Sequence, residues 1–443
     1  MSELSLDEAL RVLDRTRGVE VSGRVTELVG LVVRATAPGA RVGELVIIER
    51  ERGAPLLAEV VGFQGEEVTL LPLGHADGIG PDSVVRPTGR PFSIRCGPSL
   101  LGRVIDGLGE PIDDKGPLGD DLVWWPVERP APDPLSRRRI TLPLTTGIRA
   151  IDSMLTLGEG QRLGLFAPSG VGKSTLLGQI ARFADADVIV IGLVGERGRE
   201  VRDFLETQLD DDSRRRSVCV CATSDAPPLL RLKSALGATA VAEYFRDRGQ
   251  RVLLLMDSLT RVARAQREVG LAAGEPPARQ GYPPSVFAML PRLLERSGQA
   301  ATGSITAIYT VLTNNDDLDD PISEEVRAIL DGHVVLSREL AARAQWPAID
   351  VVRSLSRVMD DLIDPPHRAA ASKLRQILAT YERQRDLILL GAYRRGVDPA
   401  TDEALDRVGS VEAFLRQSRD ERAERIDTRQ RLDALFGRPT RST

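Results

Sequence analysis

The stretch that most constrains this chain runs from Arg162 to Thr175, RLGLFAPSGVGKST. Leu163, Leu165 and Phe166 form an apolar run that predicts a strand. The chain then enters a turn of Pro, Ser and Gly, and LLGQIARFA beyond Thr175 predicts a helix. Strand, glycine-rich loop and helix N-terminus make an anion cradle: the first-turn N–H groups lack intrahelical partners, and the helix dipole is positive there. The backbone N–H groups of Gly170, Val171, Gly172 and Lys173 are therefore expected to point at phosphate oxygens. The Lys173 ammonium would sit on the outer phosphates and the Ser174 hydroxyl on Mg²⁺. One position departs from G-x-x-x-x-G-K-[ST]: Ala167 stands for the first glycine, which is tolerable only if that residue keeps an ordinary φ. Lysine occurs only at 115, 173, 233 and 373. One of these rare lysines falls where the cradle needs a compact ammonium rather than a planar fork.

At 443 residues the chain exceeds one ordinary domain and predicts two or three. A formal net charge of -5 argues against a nucleic-acid binder driven by bulk electrostatics. No apolar run reaches the length of a membrane span, and MSELSLDEAL lacks a basic and an apolar leader region, so a cytoplasmic protein is expected. Three cysteines give no disulfide framework. Cys219 and Cys221, two apart in SVCVCATS, are expected on one face of a buried strand as small hydrophobes, with no partners at zinc spacing.

Taken in order, Ser5 to Asp14 predicts a short amphipathic helix. Ser5 and Glu8 fit a capping box, and Leu6, Ala9, Leu10 and Leu13 form one stripe that needs a partner protein, a membrane surface or its own body. From Val21 to about Val85, short β-rich runs broken by glycine predict a small closed barrel. A Pro/Gly-rich section follows and is expected to wrap on the next domain, with Trp124 and Trp125 as packing anchors. Beyond Ile140, DVIVIGLVG, SVCVCATS, RVLLLMDS and SITAIYTVL are near-continuous apolar strands alternating with amphipathic segments. That pattern predicts a parallel sheet covered on both faces. After Pro365 and Pro366 the chain reads as helical. The expected architecture is α/β: an N-terminal helix over 1–18, a β-barrel over 19–90, a RecA-like P-loop core over 91–365 and a helical domain over 366–443.

Two strand ends carry candidate chemistry. RVLLLMD ends in Asp257, and in a parallel sheet the C-terminal strand ends converge on the ligand crevice, so Asp257 is expected beside the cradle, holding Mg²⁺ through water. VIVIGLVG runs into ERGRE, which brings Glu196, Arg197, Arg199 and Glu200 to another strand end. Glu196 is the candidate for orienting water toward a terminal phosphate; read alone, the segment also fits a charged loop with exposed ion pairs.

Several blocks resemble the ATPase of type III protein secretion, in its flagellar and injectisome versions, a homologue of rotary ATP synthase subunits. They are GLFAPSGVGKST, LVGERGREVRDF, MDSLTRVARAQREVGLAAGEPPARQGYPPSVFAMLPRLLERSG, RAILDGHVVLSREL and PAIDVVRSLSRVMDDL. The resemblance runs from LLGRVIDGLGEPID nearly to the C-terminus. It implies that ATP is held by Ala167, Pro168, Ser169, Gly170, Val171, Gly172, Lys173, Ser174 and Thr175. That family also commonly begins the loop with Ala. Trp346, before PAID, falls where relatives carry a Tyr; in rotary relatives this aromatic stacks on adenine, and an indole can do the same. Further implied roles are Glu196 as catalytic glutamate, Arg197 near the γ-phosphate, Glu200 and Asp257 at the metal, and Arg357 as an arginine finger given to a neighbouring subunit. His333, in the DGH block, is expected to be structural.

The function implied is ATP hydrolysis by a homohexameric ring that prepares proteins for export. Its partners would be stator and central stalk proteins, an export gate and chaperone–substrate complexes, at the inner face of the cytoplasmic membrane. YTVL, DPISEEVRAILDGH and DLILLGAYRRG lean toward the injectisome branch. Three alternatives are a rotary synthase catalytic subunit, an RNA-translocating hexamer and a non-hydrolysing ring subunit. The C-terminal segment GAYRRGVDPATDEALDRVGSVEAFLRQ argues against the first. The second would need aromatic and basic residues on a barrel that offers Phe63 and scattered arginines among glutamates. The third would lack the lysine and glutamate present here.

Overall fold

The computed structural model describes residues 21–313 and 320–436. The helix expected at Ser5–Asp14 lies outside them. The described chain falls into two compact units, one reaching to Phe92 and including Glu268–Pro276, the other made of Ser93–Arg267 and the residues from Pro277 onward.

In the first unit, β1 (Gly23–Val29), β2 (Val32–Thr36), β3 (Glu44–Ile48), β4 (Leu56–Gln64), β5 (Glu67–Pro72) and β6 (Val84–Pro91) close in the order β1-β2-β5-β4-β3-β6. All neighbours are antiparallel. Alternate residues fill the interior, among them Val33, Ala35, Val46, Ile48, Ala58 and Leu70. Period-2 alternation is what puts one side of each strand inside. Register shifts at Val25/Glu27, Glu44/Val46 and Val60/Gly62 supply the bends that closure requires. At Gly23 a Cβ would lie 1.7 Å from the Thr36 carbonyl oxygen, so only glycine admits this crossing.

The second unit is built on a nine-stranded sheet. Its main strands are β7 (Val104–Asp106), β8 (Arg162–Ala167), β9 (Val188–Glu196), β10 (Ser217–Thr223), β11 (Arg251–Asp257), β12 (Ser304–Leu312), β13 (Gly332–Leu336) and β14 (Ile349–Ser356). They lie in the order β14-β13-β8-β12-β11-β9-β10-β7. Every pair is parallel except β13 with β14. The central strands are buried along nearly their whole length, because helices cover both faces. Those that matter below are α1 (Lys173–Phe183), α2 (Pro228–Arg246), which lies on β9, β10 and β11, and α3 (Leu259–Ala272).

α4 (Pro365–Leu389), α5 (Pro399–Leu415) and α6 (Arg425–Phe436) pack on one another. Each of the first two starts with Pro at N1 behind an aspartate cap, Asp364 accepting from His367 N and Asp398 from Ala400 N. Leu374, Ile377, Phe414 and Leu432 join the apolar core that also holds Leu163 and Ile189 of the sheet. Helices and sheet therefore share one interior. Arg149, 1% exposed, ties them further: its guanidinium donates to the carbonyls of Phe414 (3.0 Å) and Arg416 (2.8 Å) and pairs with Glu421.

The Pro/Gly-rich section is more than a wrapping. Val104–Asp106 within it pairs with Cys219–Cys221 as the outermost parallel strand. Its two tryptophans separate: Trp125 meets Tyr244 edge-on at 5.5 Å under the Arg129 guanidinium, whereas Trp124 is 60% exposed. Cys219 and Cys221 are buried on one face with sulfurs 3.3 Å apart, as their spacing predicts.

Candidate active site

β8 delivers the chain to the cradle. Ala167 closes the strand, is buried, and is not among the positive-φ residues, so the missing glycine costs nothing. Its carbonyl accepts from Thr313 N at 3.1 Å. The loop then turns at Gly170 and Gly172, both with φ 83°, where a side chain would be strained. α1 begins at Lys173 with no side-chain cap, leaving its first-turn N–H groups open to an anion.

Because β8, β12, β11 and β9 are consecutive neighbours, their C-terminal ends arrive side by side. Lys173 Nζ makes a close ion pair with Asp257 Oδ1 at the end of β11 and lies 3.7 Å from Glu196 Oε1 at the end of β9. Thr310, on the intervening β12, donates from Oγ1 to Asp257 Oδ1 at 2.7 Å and fixes that carboxylate. Arg261, in the first turn of α3, pairs with Glu196 at 3.2 Å and donates to the Gly195 carbonyl.

Burial pushes the Glu196 carboxyl up to about 7. A hydrogen bond with Glu200 and the charge of Asp257 act in the same direction, against Lys173 and Arg261. The same hydrogen bond, with help from Arg197, holds Glu200 below its ordinary value. One carboxyl is thus poised near neutral pH beside another that stays ionised.

These groups line a cavity of about 580 Å³, to which Pro168, Ser169, Ser174 and Thr175 also contribute. Arg197 reaches it from the rim, with 77% of its side chain exposed and Glu200 at 3.3 Å. A second cavity of about 440 Å³ shares Gly170, Gly172 and Thr175 with the first and is walled by Trp346, Pro347, Gln179 and Gln417. The indole lies over Gly172: a Cβ there would come within 2.9 Å of the ring. Gln417 N donates to the Trp346 carbonyl at 2.8 Å, and Gln179 Nε2 to the Ser418 carbonyl at 3.1 Å, so the segment before α6 forms part of this wall. The pair of cavities has the extent of a nucleotide, with polar chemistry at one end and an aromatic at the other.

Hard oxygen donors surround the phosphate end: the exposed Ser174 hydroxyl and the carboxylates of Asp257 and Glu200. No group of three or more metal-ligating His, Cys, Asp or Glu occurs among the described residues. That combination suits Mg²⁺, which is held by one or two carboxylates together with phosphate oxygens and water.

Arg357 stands apart from this cavity. It follows β14 at the edge where β13 begins, and its backbone N–H donates to the Asp331 carbonyl at 2.9 Å. The register sets Gly164 beside His333, which puts Arg357 level with the start of β8. The cradle lies beyond the other end of that strand, at least ~15 Å away at about 3.3 Å per residue. An arginine side chain cannot span that distance within its own chain. His333 donates from Nε2 to the Arg353 carbonyl (3.0 Å) and meets Phe166 edge-on; burial lowers its pKa, and its role is packing.

Sequence reasoning missed Arg261, Thr310 and the 417–419 wall. Arg261, four residues past Asp257 on a helix starting at the strand end, carried a readable signal. The other two did not, since strand order and a contact across more than 70 residues bring them in.

Fold and site together define a P-loop nucleotide-binding protein of the α/β class. Residues 147–356 match the ATP synthase alpha/beta family, nucleotide-binding domain; residues 25–89 match that family's beta-barrel domain; and residues 363–434 match the T3SS EscN ATPase C-terminal domain. The chain is 54% identical over 401 residues to the type 3 secretion system ATPase of Xanthomonas euvesicatoria, covering 90% of both. It is 48% identical over 427 residues to the flagellum-specific ATP synthase of Bacillus subtilis (strain 168), covering 96% of this chain and 97% of the relative. The assembled ATPase EscN from the enteropathogenic E. coli type III secretion system superposes with a TM-score of 0.89 at 46% identity, over 93% of this chain and 99% of EscN. EscN has also been solved in complex with its central stalk EscO, at a TM-score of 0.86 and with the same identity and coverage. The chain belongs to the family of type III secretion and flagellum-specific ATPases.

Proposed function

We propose that this chain hydrolyses Mg·ATP at a site shared between two copies of itself, within a homohexameric ring that prepares proteins for export through a type III secretion apparatus. The reading is carried by one observation: a glycine cradle opens beside a buried carboxyl raised to about 7, while Arg357 lies too far away to serve its own cradle.

In this mechanism the cradle from Ala167 to Thr175 binds the phosphates and Lys173 neutralises the outer ones. Ser174 and Asp257, with Glu200 at the metal's water shell, would hold Mg²⁺, which offsets phosphate charge when bound. Glu196 accepts a proton from the attacking water, and Arg261 and Lys173 keep its carboxylate oriented. Arg197 meets the γ-phosphate from the rim. Arg357 of the neighbouring copy stabilises the charge that develops as the terminal phosphate leaves. The base stacks on the Trp346 indole.

As partners we propose a central stalk, stator proteins, an export gate and chaperone–substrate complexes, with peripheral association at the inner face of the cytoplasmic membrane. The solved complex of EscN with its stalk supports the first of these. The injectisome branch is favoured by the YTVL and DLILLGAYRRG segments. The test is turnover per chain as a function of concentration: activity rising steeply with assembly is expected, and activity that stays flat on dilution to monomer overturns the shared site.

A further inference from the structure

Among the described residues, four cations line the phosphate cavity: Lys173, Arg197, Arg261 and Arg264. Three are already engaged. Lys173 pairs with Asp257 and Glu196, Arg261 with Glu196 and the Gly195 carbonyl, and Arg197 with Glu200. Arg264 makes no hydrogen bond or ion pair among the described residues, and it is exposed at the cavity wall. It sits three residues past Arg261 on α3, so the two side chains leave neighbouring points of one helix face, with Cβ atoms roughly 5–6 Å apart. Among the described residues, the three cavity carboxylates, Glu196, Glu200 and Asp257, are thus matched by three cations, and a fourth guanidinium stands over. A surplus guanidinium on the wall of a cavity that opens from a phosphate cradle is matched by an anion that arrives with the ligand.

We propose that Arg264 binds the terminal phosphate of the bound nucleoside triphosphate within its own chain, and holds the inorganic phosphate after cleavage. The inference rests on the reading of this cavity as the γ-phosphate site. It separates Arg264 from Lys173: the lysine contacts a phosphate from inside the cradle, whereas Arg264 approaches from α3 and touches only what lies past the β-phosphate. A diphosphate leaves Arg264 without a ligand.

The test uses the full chain with Mg²⁺, displacing a fluorescent ADP by either unlabelled ADP or a non-hydrolysable ATP analogue. R264A is expected to weaken the analogue about tenfold while ADP affinity stays within twofold. R264K should recover part of the loss, because charge returns without the fork. R264Q serves as a second neutral variant should R264A lower the yield of folded protein. A role only in folding would weaken both ligands together, and that result overturns the proposal, as does an unchanged ratio of the two affinities in both neutral variants. An effect confined to concentrations at which the chain assembles assigns Arg264 to a neighbour's nucleotide and also overturns it. Failure of the underlying reading looks different: the unaltered chain would then show no preference for the triphosphate over orthophosphate, and no turnover that depends on Glu196.

Discussion

Lys173 Nζ and Asp257 Oδ1 form a close ion pair although 84 residues separate them in sequence. The pair marks the end of the sheet at which the glycine loop and its cavity lie. Arg357, held to the Asp331 carbonyl, marks the opposite end. A site that needs both requires a second copy of the chain.

Arg357→Ala should lower turnover of the assembled chain by at least about 100-fold while ATP still binds, since a lost transition-state donor costs roughly 3 kcal/mol. Mixing it with Lys173→Ala should restore activity to about one interface in four at equal, random mixing. Steady-state turnover of the mixture against each variant alone checks the shared site, and no recovery would refute it.

The raised Glu196 carboxyl sets a pH limb. In the proposed mechanism its carboxylate is the reactive form, and its pKa is raised to about 7. Thus kcat/KM, which reports the free enzyme, should climb through neutral pH and level off above it. Glu196→Gln should lie orders of magnitude lower with no such limb. A profile already flat from pH 5 would contradict the assignment.

Glu200 raises its neighbour through a shared hydrogen bond. Removing that carboxyl in Glu200→Gln should move the acid limb of kcat/KM to lower pH, whatever happens to its height. A limb that stays in place would show that burial and the Asp257 charge set Glu196 without Glu200.

Gly172 leaves neither a permissive φ nor space for a side chain, with the Trp346 ring where a Cβ would go. Gly172→Ala should destabilise by at least about 1–2 kcal/mol from the left-handed backbone alone and abolish nucleotide binding. Trp346→Tyr should keep KM for ATP within a few-fold, whereas Trp346→Ala should raise it about tenfold. Isothermal binding and denaturant midpoints check both.

Away from the site, Arg296 makes two hydrogen bonds of 2.8 Å to Glu243, both side chains almost wholly buried. Arg296→Ala leaves the buried Glu243 carboxylate with the more distant Arg129 guanidinium, at 3.8 Å, and should cost about 3–5 kcal/mol. Replacing both residues by apolar ones should cost much less. Guanidinium unfolding of the single and double variants distinguishes the two.

The barrel, the central parallel strands and the phosphate loop were legible in the chain because each is set by short-range periodicity. Alternation at period two marks the barrel, continuous apolar runs mark the covered strands, and Gly-x-Gly-Lys after such a run marks the loop. Glu196 and Asp257 were legible as strand ends. Trp125 could not be told from Trp124, since only the distant Tyr244 decides which of them packs. Nor could Val104–Asp106 be read as a sheet edge, because three residues carry too little pattern and their pairing partner lies over 100 positions away.

By itself the sequence determined which elements form and which residues stand in the glycine loop and at the strand ends beside it, since backbone preference and apolar spacing act within a few residues. Only the tertiary structure decided which charges meet: Arg261 on Glu196, Thr310 on Asp257, the 417–419 segment beside Trp346, and Arg357 at the far end. These depend on the order in which strands pair, and that order is fixed by packing across the whole sheet rather than by any local stretch of chain.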